Sequence, residues 1–350
     1  MIVCTRDLFG FQRLLYHPRS RTWAPSIQQA LLASGQGAGE PDVAAIVGYL
    51  SGERPVARTV LRDVRAVPPG HALIQSPLGL EVRDAPNQPL HSDLETVLRD
   101  SLQRALDSGK RVALALSGGL DSALLLALLR ELGAQQHVTS YVLATGMPDY
   151  CEEDAALELA TQMQAKVKVV RVSEPDFVAA LPRATRIVEE PMFNLHPVAK
   201  LLLAEAMAED DIELAITGDG ADQVLRRDQS ANYLPLCNAL FGAASVSLCP
   251  PFVDPNVVMH LTSVPPDPYK QCLRELGERL HLPDRLVHGP KRGRLAPAMD
   301  LSKWLDPDRI RALASSLGLP APTLEADTER VLWTTLTLTL DHLGATTRPL

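Results

Sequence analysis

The stretch Leu116-Ser117-Gly118-Gly119-Leu120-Asp121-Ser122 separates a short apolar run from a leucine-rich segment. Residues 112 to 116 indicate a buried strand and residues 122 to 132 a helix, so the paired glycines fall at a strand-to-helix junction. Such a junction directs free backbone N–H groups and the positive end of the helix dipole at an anion. Glycines let the backbone approach a phosphate closely, and the two serine hydroxyls can donate to it. The stretch lacks the GKS or GKT ending of a Walker A loop, so it predicts a different kind of phosphate-binding loop.

Outward from this stretch, strands and helices alternate along the chain. The predicted strands are 112–116, 139–144, 167–172 and 212–217, and the predicted helices are 92–108, 122–132, 153–164 and 196–208. Ser92 and Glu95 have capping-box spacing, which starts the helix 92–108. Buried apolar strands separated by helices predict an α/β fold with a parallel, doubly wound sheet. In such sheets ligands bind at the carboxyl ends of the strands.

A second acidic loop, Thr217-Gly218-Asp219-Gly220-Ala221-Asp222, follows the strand 212–217. Two such loops at the ends of two parallel strands would face one another, and carboxylates that converge on phosphates are suited to Mg²⁺. Before residue 90 the sequence indicates short strands with one helix over 41–50, and the polar, proline-containing stretch 83–89 indicates a linker. We therefore expect two domains, residues 1–90 and 91–350.

Bulk properties argue against several classes of protein. The formal net charge of −8 argues against a basic surface that binds nucleic acid. No apolar run reaches the roughly 20 residues that span a bilayer, and the first residues lack a secretory signal pattern. Five scattered cysteines without CxxC spacing suggest neither a disulfide framework nor a zinc site. We expect a cytoplasmic protein that acts on neither nucleic acid nor membrane.

SGGLDS at residues 117–122 resembles the pyrophosphatase loop of the ATP-cleaving family that includes asparagine synthetase and β-lactam synthetase. TGDGAD at residues 217–222 is similar to the TGDGADE segment of asparagine synthetase. The resemblance implies an adenine-nucleotide α-hydrolase-like fold and cleavage of ATP between its α and β phosphates. It places phosphates on Ser117, Gly118, Gly119, Asp121 and Ser122, adenosine near Leu116, Leu143, Thr217 and Gly218, and Mg²⁺ on Asp121 and Asp222.

Other segments follow the order of the same family. They include residues 152–156, 190–192, 250–254 and 288–293, and they extend the resemblance over nearly all of residues 92–310. The lysine that matches the family's catalytic position is Lys291, which by resemblance stabilises charge on the reacting acyl centre. Asp219 is a candidate base, and a role in capping its own loop is open beside it. Gln223 stands where asparagine synthetase has a glutamate, and an amide cannot act as a base.

The front of the chain also carries a resemblance. Residues 5–16 are similar to the RDPFGxxPLYY stretch of asparagine synthetase glutaminase domains, and residues 67–71 resemble the PPGh turn near that domain's end. This implies a truncated α+β Ntn-hydrolase-like domain. Cys4 does not match the N-terminal nucleophile of such domains, so we expect no glutamine hydrolysis. We also expect a second copy of the chain or a partner subunit to cover the exposed part of this domain.

The resemblance implies ATP-dependent amide formation in specialised biosynthesis. A carboxylate would attack the α-phosphate to form an acyl-adenylate with release of pyrophosphate, and an amine would then displace AMP. Two alternatives are ammonia-dependent amidation and a scaffold without catalytic activity. Neither the acid nor the amine is named by the sequence.

Overall fold

A computed structural model describes residues 2–77, 79–84, 93–147, 151–227, 233–289 and 299–345. Its strands are β1 (Ile2–Thr5), β2 (Leu15–His17), β3 (Thr22–Ala24), β4 (Arg65–Ala66), β5 (His71–Ser76), β6 (Gly79–Asp84), β7 (Val112–Ala115), β8 (Thr139–Ala144), β9 (Val167–Arg171), β10 (Leu214–Ile216) and β11 (Ser247–Cys249). Its α-helices are α1 (Ile27–Ala33), α2 (Val43–Leu50), α3 (Leu94–Leu106), α4 (Leu120–Glu131), α5 (Glu153–Gln162), α6 (Glu174–Val188), α7 (His196–Glu209), α8 (Ala221–Arg226), α9 (Leu234–Ala243), α10 (Pro255–Ser263), α11 (Gln271–Arg279), α12 (Asp284–Val287), α13 (Pro307–Ser316) and α14 (Asp327–His342).

The chain divides into two compact units. The first comprises Met1–Pro86, Pro175–Val198 and Ala298–Leu350, and the second comprises Asn87–Glu174 and Ala199–Pro297. This division differs from two consecutive domains at 1–90 and 91–350, because two later segments join the unit that contains the front of the chain. Hydrophobic periodicity assigns residues to helices, but it does not say which distant segments share a core.

The second unit is built on a five-stranded sheet in the order β11-β10-β7-β8-β9, and every neighbouring pair is parallel. Helices connect successive strands, as parallel pairing requires. The central strand is short and apolar, and Ala113 and Leu114 are fully buried. The predicted parallel, doubly wound α/β fold is confirmed.

Most predicted elements of this unit occur within a few residues of their expected ends. One helix start is assigned to the wrong cap: Asp93, not Ser92, precedes α3, and its carboxylate accepts hydrogen bonds from the backbone N–H groups of Glu95 and Thr96. The negative charge of a carboxylate also interacts favourably with the positive end of the helix dipole, whereas a neutral hydroxyl gains less from it. Ser92 itself lies outside the described residues.

The first unit contains two antiparallel three-stranded sheets, in the orders β1-β5-β6 and β3-β2-β4. The expected helix over 41–50 is α2, which begins after Asp42, and a second helix, α1, was not predicted. The apolar core joins side chains of these front helices to α13 and α14, among them Ile46, Ile310 and Leu336. Thus α13 and α14 complete the apolar core around the front helices.

No helix in the described ranges combines the length and the hydropathy needed to cross a membrane.

Candidate functional site

The candidate site lies where the strand order of the parallel sheet reverses. The chain passes from β7 outward through β8 to β9, then returns to the other side of β7 to form β10 and β11. The two loops that follow β7 and β10 therefore leave neighbouring strands at the same edge of the sheet. Ligands of open α/β sheets bind in the crevice at such a switch point. Both acidic loops predicted from the sequence fall there.

The first loop is held by its own serines. The backbone N–H of Ser117 donates to Oγ of Ser122 at 3.0 Å, and the backbone N–H of Gly119 donates to Oγ of Ser117 at 3.2 Å. The two hydroxyl oxygens lie 2.9 Å apart. Gly119 precedes α4, and no side chain caps this helix start. The first turn of α4 can therefore direct its backbone N–H groups at an anion.

Glycines allow the two loops to approach each other. A Cβ atom added to Gly218 would lie 3.0 Å from Cβ of Asp121 and 3.0 Å from the backbone nitrogen of Ser122. A Cβ atom on Gly118 would lie 2.8 Å from Cβ of Ala155. All three distances are too short for a side chain without displacement of a neighbour. Gly118 and Gly218 are therefore needed where α5 and the second loop pack against the first loop.

The first turns of two helices bring the predicted metal ligands together. Asp121 lies in the first turn of α4, and Asp222 in the first turn of α8. Lys270 contacts both: its Nζ lies 2.6 and 2.8 Å from the two carboxylate oxygens of Asp121 and 3.2 Å from Oδ2 of Asp222. Arg226 adds a longer contact of 3.5 Å to Asp222. One ammonium group thus sits within reach of both carboxylates.

This arrangement fits a magnesium ion. Mg²⁺ is usually held by one or two carboxylates, and waters and substrate phosphates complete its octahedral shell. Asp121 and Asp222 converge closely enough to share one cation, as their common contact with Lys270 shows. In the parts of the chain that the structure describes, no group of three or more His, Cys, Asp or Glu residues could hold a metal. The two carboxylates would therefore leave the rest of the shell to waters and phosphate oxygens.

Asp219 belongs to a separate cluster on the same loop. Nζ of Lys200 donates to its two carboxylate oxygens at 2.9 and 2.7 Å, and the hydroxyl of Tyr233 donates to Oδ1 at 3.1 Å. Burial of Asp219 acts to raise its pKa, but the charge and hydrogen bonds of Lys200 outweigh burial and hold the pKa below its usual value. The neighbouring Asp219 charge and burial raise the pKa of Tyr233 well above its usual value.

The predicted role of Asp219 as a base gains little from this geometry. A carboxylate with a depressed pKa and an ammonium partner is a weak proton acceptor. Its described partners are side chains rather than the loop N–H groups that the capping interpretation requires. The observed contacts therefore favour a third role, in which Asp219 fixes the position of Lys200 and Tyr233.

The remaining predicted residues lie around the same strand ends. Leu116 and Thr217 are buried directly after β7 and β10, while Leu143 is half-buried on β8. The backbone N–H of Leu116 donates to the carbonyl of Tyr141, and that of Thr217 to the carbonyl of Cys249. These two backbones therefore continue the sheet pairing beyond the strands. Lys291, the predicted catalytic lysine, lies outside the described residues.

Lys270 and Lys200 were not identified by sequence reasoning. Lys270 directly precedes the amphipathic helix α11, and Lys200 lies within α7, where a charged residue ordinarily indicates a solvated face. Only the tertiary packing shows that each side chain turns toward an aspartate. The one available signal was the run of acidic residues in the two loops, since several carboxylates placed together require cations.

These observations define the class of the second unit: a doubly wound α/β domain with an uncapped helix start and two facing carboxylates at its switch point. Residues 93–227 match the asparagine synthase family model. The resemblance to the asparagine synthetase family is thereby confirmed for this segment, which contains both acidic loops.

Individual relatives agree with the family match at low identity. The chain is 23% identical over 252 residues to the amidase chyE of Penicillium rubens, which covers 64% of this chain and 37% of that protein. It is 26% identical over 138 residues to a putative glutamine-hydrolysing asparagine synthetase of Mycobacterium tuberculosis, which covers 39% of this chain and 21% of that protein. The chain therefore spans well under half the length of these curated relatives.

Among solved structures, the chain is similar to an NMN synthetase from Francisella tularensis. The match has a TM-score of 0.36 and 16% identity, and it covers 73% of this chain and 96% of that one. An ammonia-dependent NAD synthetase from Campylobacter jejuni matches with a TM-score of 0.37 and 16% identity over the same shares.

Proposed function

We propose that the chain catalyses ATP-dependent amide formation through an acyl-adenylate. In the first step a substrate carboxylate oxygen attacks the α-phosphorus of ATP, and the bond to the bridging oxygen breaks with release of pyrophosphate. In the second step a nitrogen nucleophile attacks the acyl carbon, AMP leaves, and the nitrogen loses a proton. The observation that carries the proposal is the convergence of Asp121 and Asp222 beside the uncapped start of α4.

The described residues supply binding and charge compensation. The backbone N–H groups at the start of α4 would bind phosphate oxygens, and the helix dipole would favour their charge. Asp121 and Asp222 would hold Mg²⁺, which when bound neutralises charge on the phosphates. The glycines allow this close approach, because any Cβ at Gly218 would push the second loop away from α4.

Cationic side chains complete the proposal. Lys270 is already directed at the two carboxylates, so its ammonium lies beside the expected position of the phosphates. Charge that builds up as pyrophosphate leaves is stabilised by such preorganised cations. By resemblance, Lys291 would act at the acyl centre. Because Asp219 has a depressed pKa, we do not assign it the role of a strong base, and we favour a nucleophile that needs little help to lose its proton.

We further propose that the substrates differ from those of asparagine synthetase. Gln223 is buried on α8 at the position where that family has a glutamate. An uncharged amide there changes which groups the crevice can bind. A primary or secondary amine in specialised biosynthesis fits this change and the resemblance to β-lactam synthetase.

The proposal is tested by ATP–pyrophosphate exchange. The full chain is incubated with ATP, Mg²⁺, labelled pyrophosphate and a panel of amino acids, peptides and other carboxylic acids. Exchange that depends on a particular acid supports acyl-adenylate formation, and that acid is then offered amines or ammonia to follow amide and AMP release. Nucleotide binding with no exchange and no AMP release for any acid would favour the scaffold alternative.

A further inference from the structure

The most unusual feature of the site is that one lysine contacts both candidate metal ligands. The Lys270 side chain is 10% exposed, and Asp121 and Asp222 are 23% and 30% exposed. An ammonium has three donors and no acceptor, so it can satisfy both carboxylates at once. Its charge is compact and lies at the position where a cation shared by the two aspartates is expected.

The backbone holds Lys270 in this position. Lys270 precedes α11 and has a φ of 58°. This is a left-handed backbone conformation, which residues other than glycine adopt at a cost. Its backbone N–H donates to the carbonyl of Asp267 at 3.1 Å, and the Asp267 carboxylate accepts the N–H of Cys272 at 2.9 Å. α11 packs on α4, where a Cβ atom added to Gly277 would lie 3.6 Å from Leu120. The lysine is thus fixed against the same helix that carries Asp121.

Charge balance makes this contact informative about metal binding. A divalent ion bound to both carboxylates would lie close to the ammonium and repel it. If the metal enters alone, the ammonium loses its partners in a largely buried position, which is costly. If a triphosphate enters with the metal, its oxygens can accept hydrogen bonds from the displaced ammonium group. Metal and nucleotide should therefore favour each other through Lys270.

We propose that Lys270 is a resident counter-ion that excludes free divalent metal from Asp121 and Asp222 and makes metal binding depend on the triphosphate. This inference rests on the proposed function, since it takes the two aspartates as the Mg²⁺ site of an ATP-using enzyme. It assigns Lys270 a positioning and gating role, in addition to any contact with phosphate.

The test measures binding of Mn²⁺ to the full chain by the electron paramagnetic resonance signal of free Mn²⁺. We expect the wild-type protein to bind Mn²⁺ weakly without nucleotide, and Lys270→Gln to bind it at least about tenfold more tightly because the competing cation is gone. Lys168→Gln is the matched control. Lys168 forms a surface ion pair with Asp210, so this variant changes net charge equally and should bind Mn²⁺ as the wild type does.

Two results would overturn the inference. One is unchanged Mn²⁺ affinity in Lys270→Gln, or an equal gain in Lys168→Gln, which would leave only a general charge effect. The other is tight binding of Mn²⁺ to the wild-type protein in the absence of nucleotide, if Asp222→Asn abolishes that binding. This second result does not depend on a lysine variant. If circular dichroism shows that Lys270→Gln does not fold, Lys270→Met serves in its place because it keeps the aliphatic stem.

This outcome is distinguishable from failure of the proposed function. Acid-dependent exchange by the wild type with no effect of Lys270 on Mn²⁺ would keep the function and reject the gating role. Tighter Mn²⁺ binding in Lys270→Gln without exchange for any acid would keep the gating role and reject the reaction.

Discussion

Two lysine–aspartate clusters on neighbouring loops use the same chemistry for different ends. Lys270 contacts two aspartates from two helices, and each of these carboxylates is about a quarter exposed. Lys200 contacts one aspartate, Asp219, which is 7% exposed and also receives the Tyr233 hydroxyl. The carboxylates of the first cluster are thus open to ligands from solvent, whereas the carboxylate of the second is buried. The two aspartates of the second acidic loop therefore differ: Asp222 joins Asp121 of the first loop in the proposed binding pair, whereas Asp219 forms a structural anchor with Lys200.

The largest expected effect concerns the binding pair. Asp121→Asn or Asp222→Asn removes a carboxylate that would hold Mg²⁺, so acid-dependent ATP–pyrophosphate exchange should fall about 1,000-fold, or about 4 kcal/mol of transition-state stabilisation. Initial exchange rates at saturating acid measure this. Asp210→Asn is the control, because Asp210 pairs with Lys168 on the surface and should leave exchange unchanged. Equal rates in the wild type and both site variants would remove the distinction between the clusters.

The second effect concerns the anchor. Lys200→Met leaves Asp219 buried without its ammonium, so the free energy of unfolding at neutral pH should fall by about 3 kcal/mol. Urea denaturation followed by circular dichroism measures the loss. Lys168→Met, which breaks an exposed pair, should cost under about 1 kcal/mol.

The pH dependence of this loss has a definite sign. Because Lys200 holds the folded-state pKa of Asp219 below its usual value, the ion pair stabilises the fold above the ordinary pKa. That stabilisation is lost as pH falls through the folded-state pKa. The difference between wild type and Lys200→Met should therefore be largest near neutral pH and shrink below about pH 4. A difference that is constant with pH would mean that Lys200 stabilises the fold by packing instead.

The third effect concerns how closely the two loops approach. In Gly218→Ala the added Cβ meets Cβ of Asp121 and the nitrogen of Ser122 at 3.0 Å, so the loop must shift. We expect a loss of about 2 kcal/mol of stability together with weaker nucleotide binding. Gly242→Ala is the control, since no atom lies within 4 Å of its added Cβ and alanine favours the helix α9. A fully stable and active Gly218→Ala would contradict the close packing of the loops.

The parallel sheet and the two acidic loops could be predicted from the sequence. The parallel sheet follows from short apolar strands that alternate with helices, and the two acidic loops follow from glycine-rich junctions at strand ends. The two lysines that distinguish the clusters could not be predicted from the sequence. Lys270 and Lys200 are distant in sequence from the aspartates that they contact, and a lone lysine before or within a helix carries no local sign of its partner. Likewise, nothing in the periodicity of α14 indicates that it completes the core around α2.

The smallest effect tests whether Tyr233 belongs to the closed cluster. Its hydroxyl donates to Asp219 at 3.1 Å, and the raised pKa of Tyr233 keeps that hydroxyl protonated at neutral pH. Tyr233→Phe removes one hydrogen bond to a charged acceptor that keeps its ammonium partner, so the free energy of unfolding should fall by only about 1 kcal/mol. In a double-mutant cycle with Lys200→Met, the two losses should not add, because both act on the same carboxylate. Additive losses, or a loss of exchange in Tyr233→Phe without a loss of stability, would move Tyr233 from the anchor to the reacting part of the site.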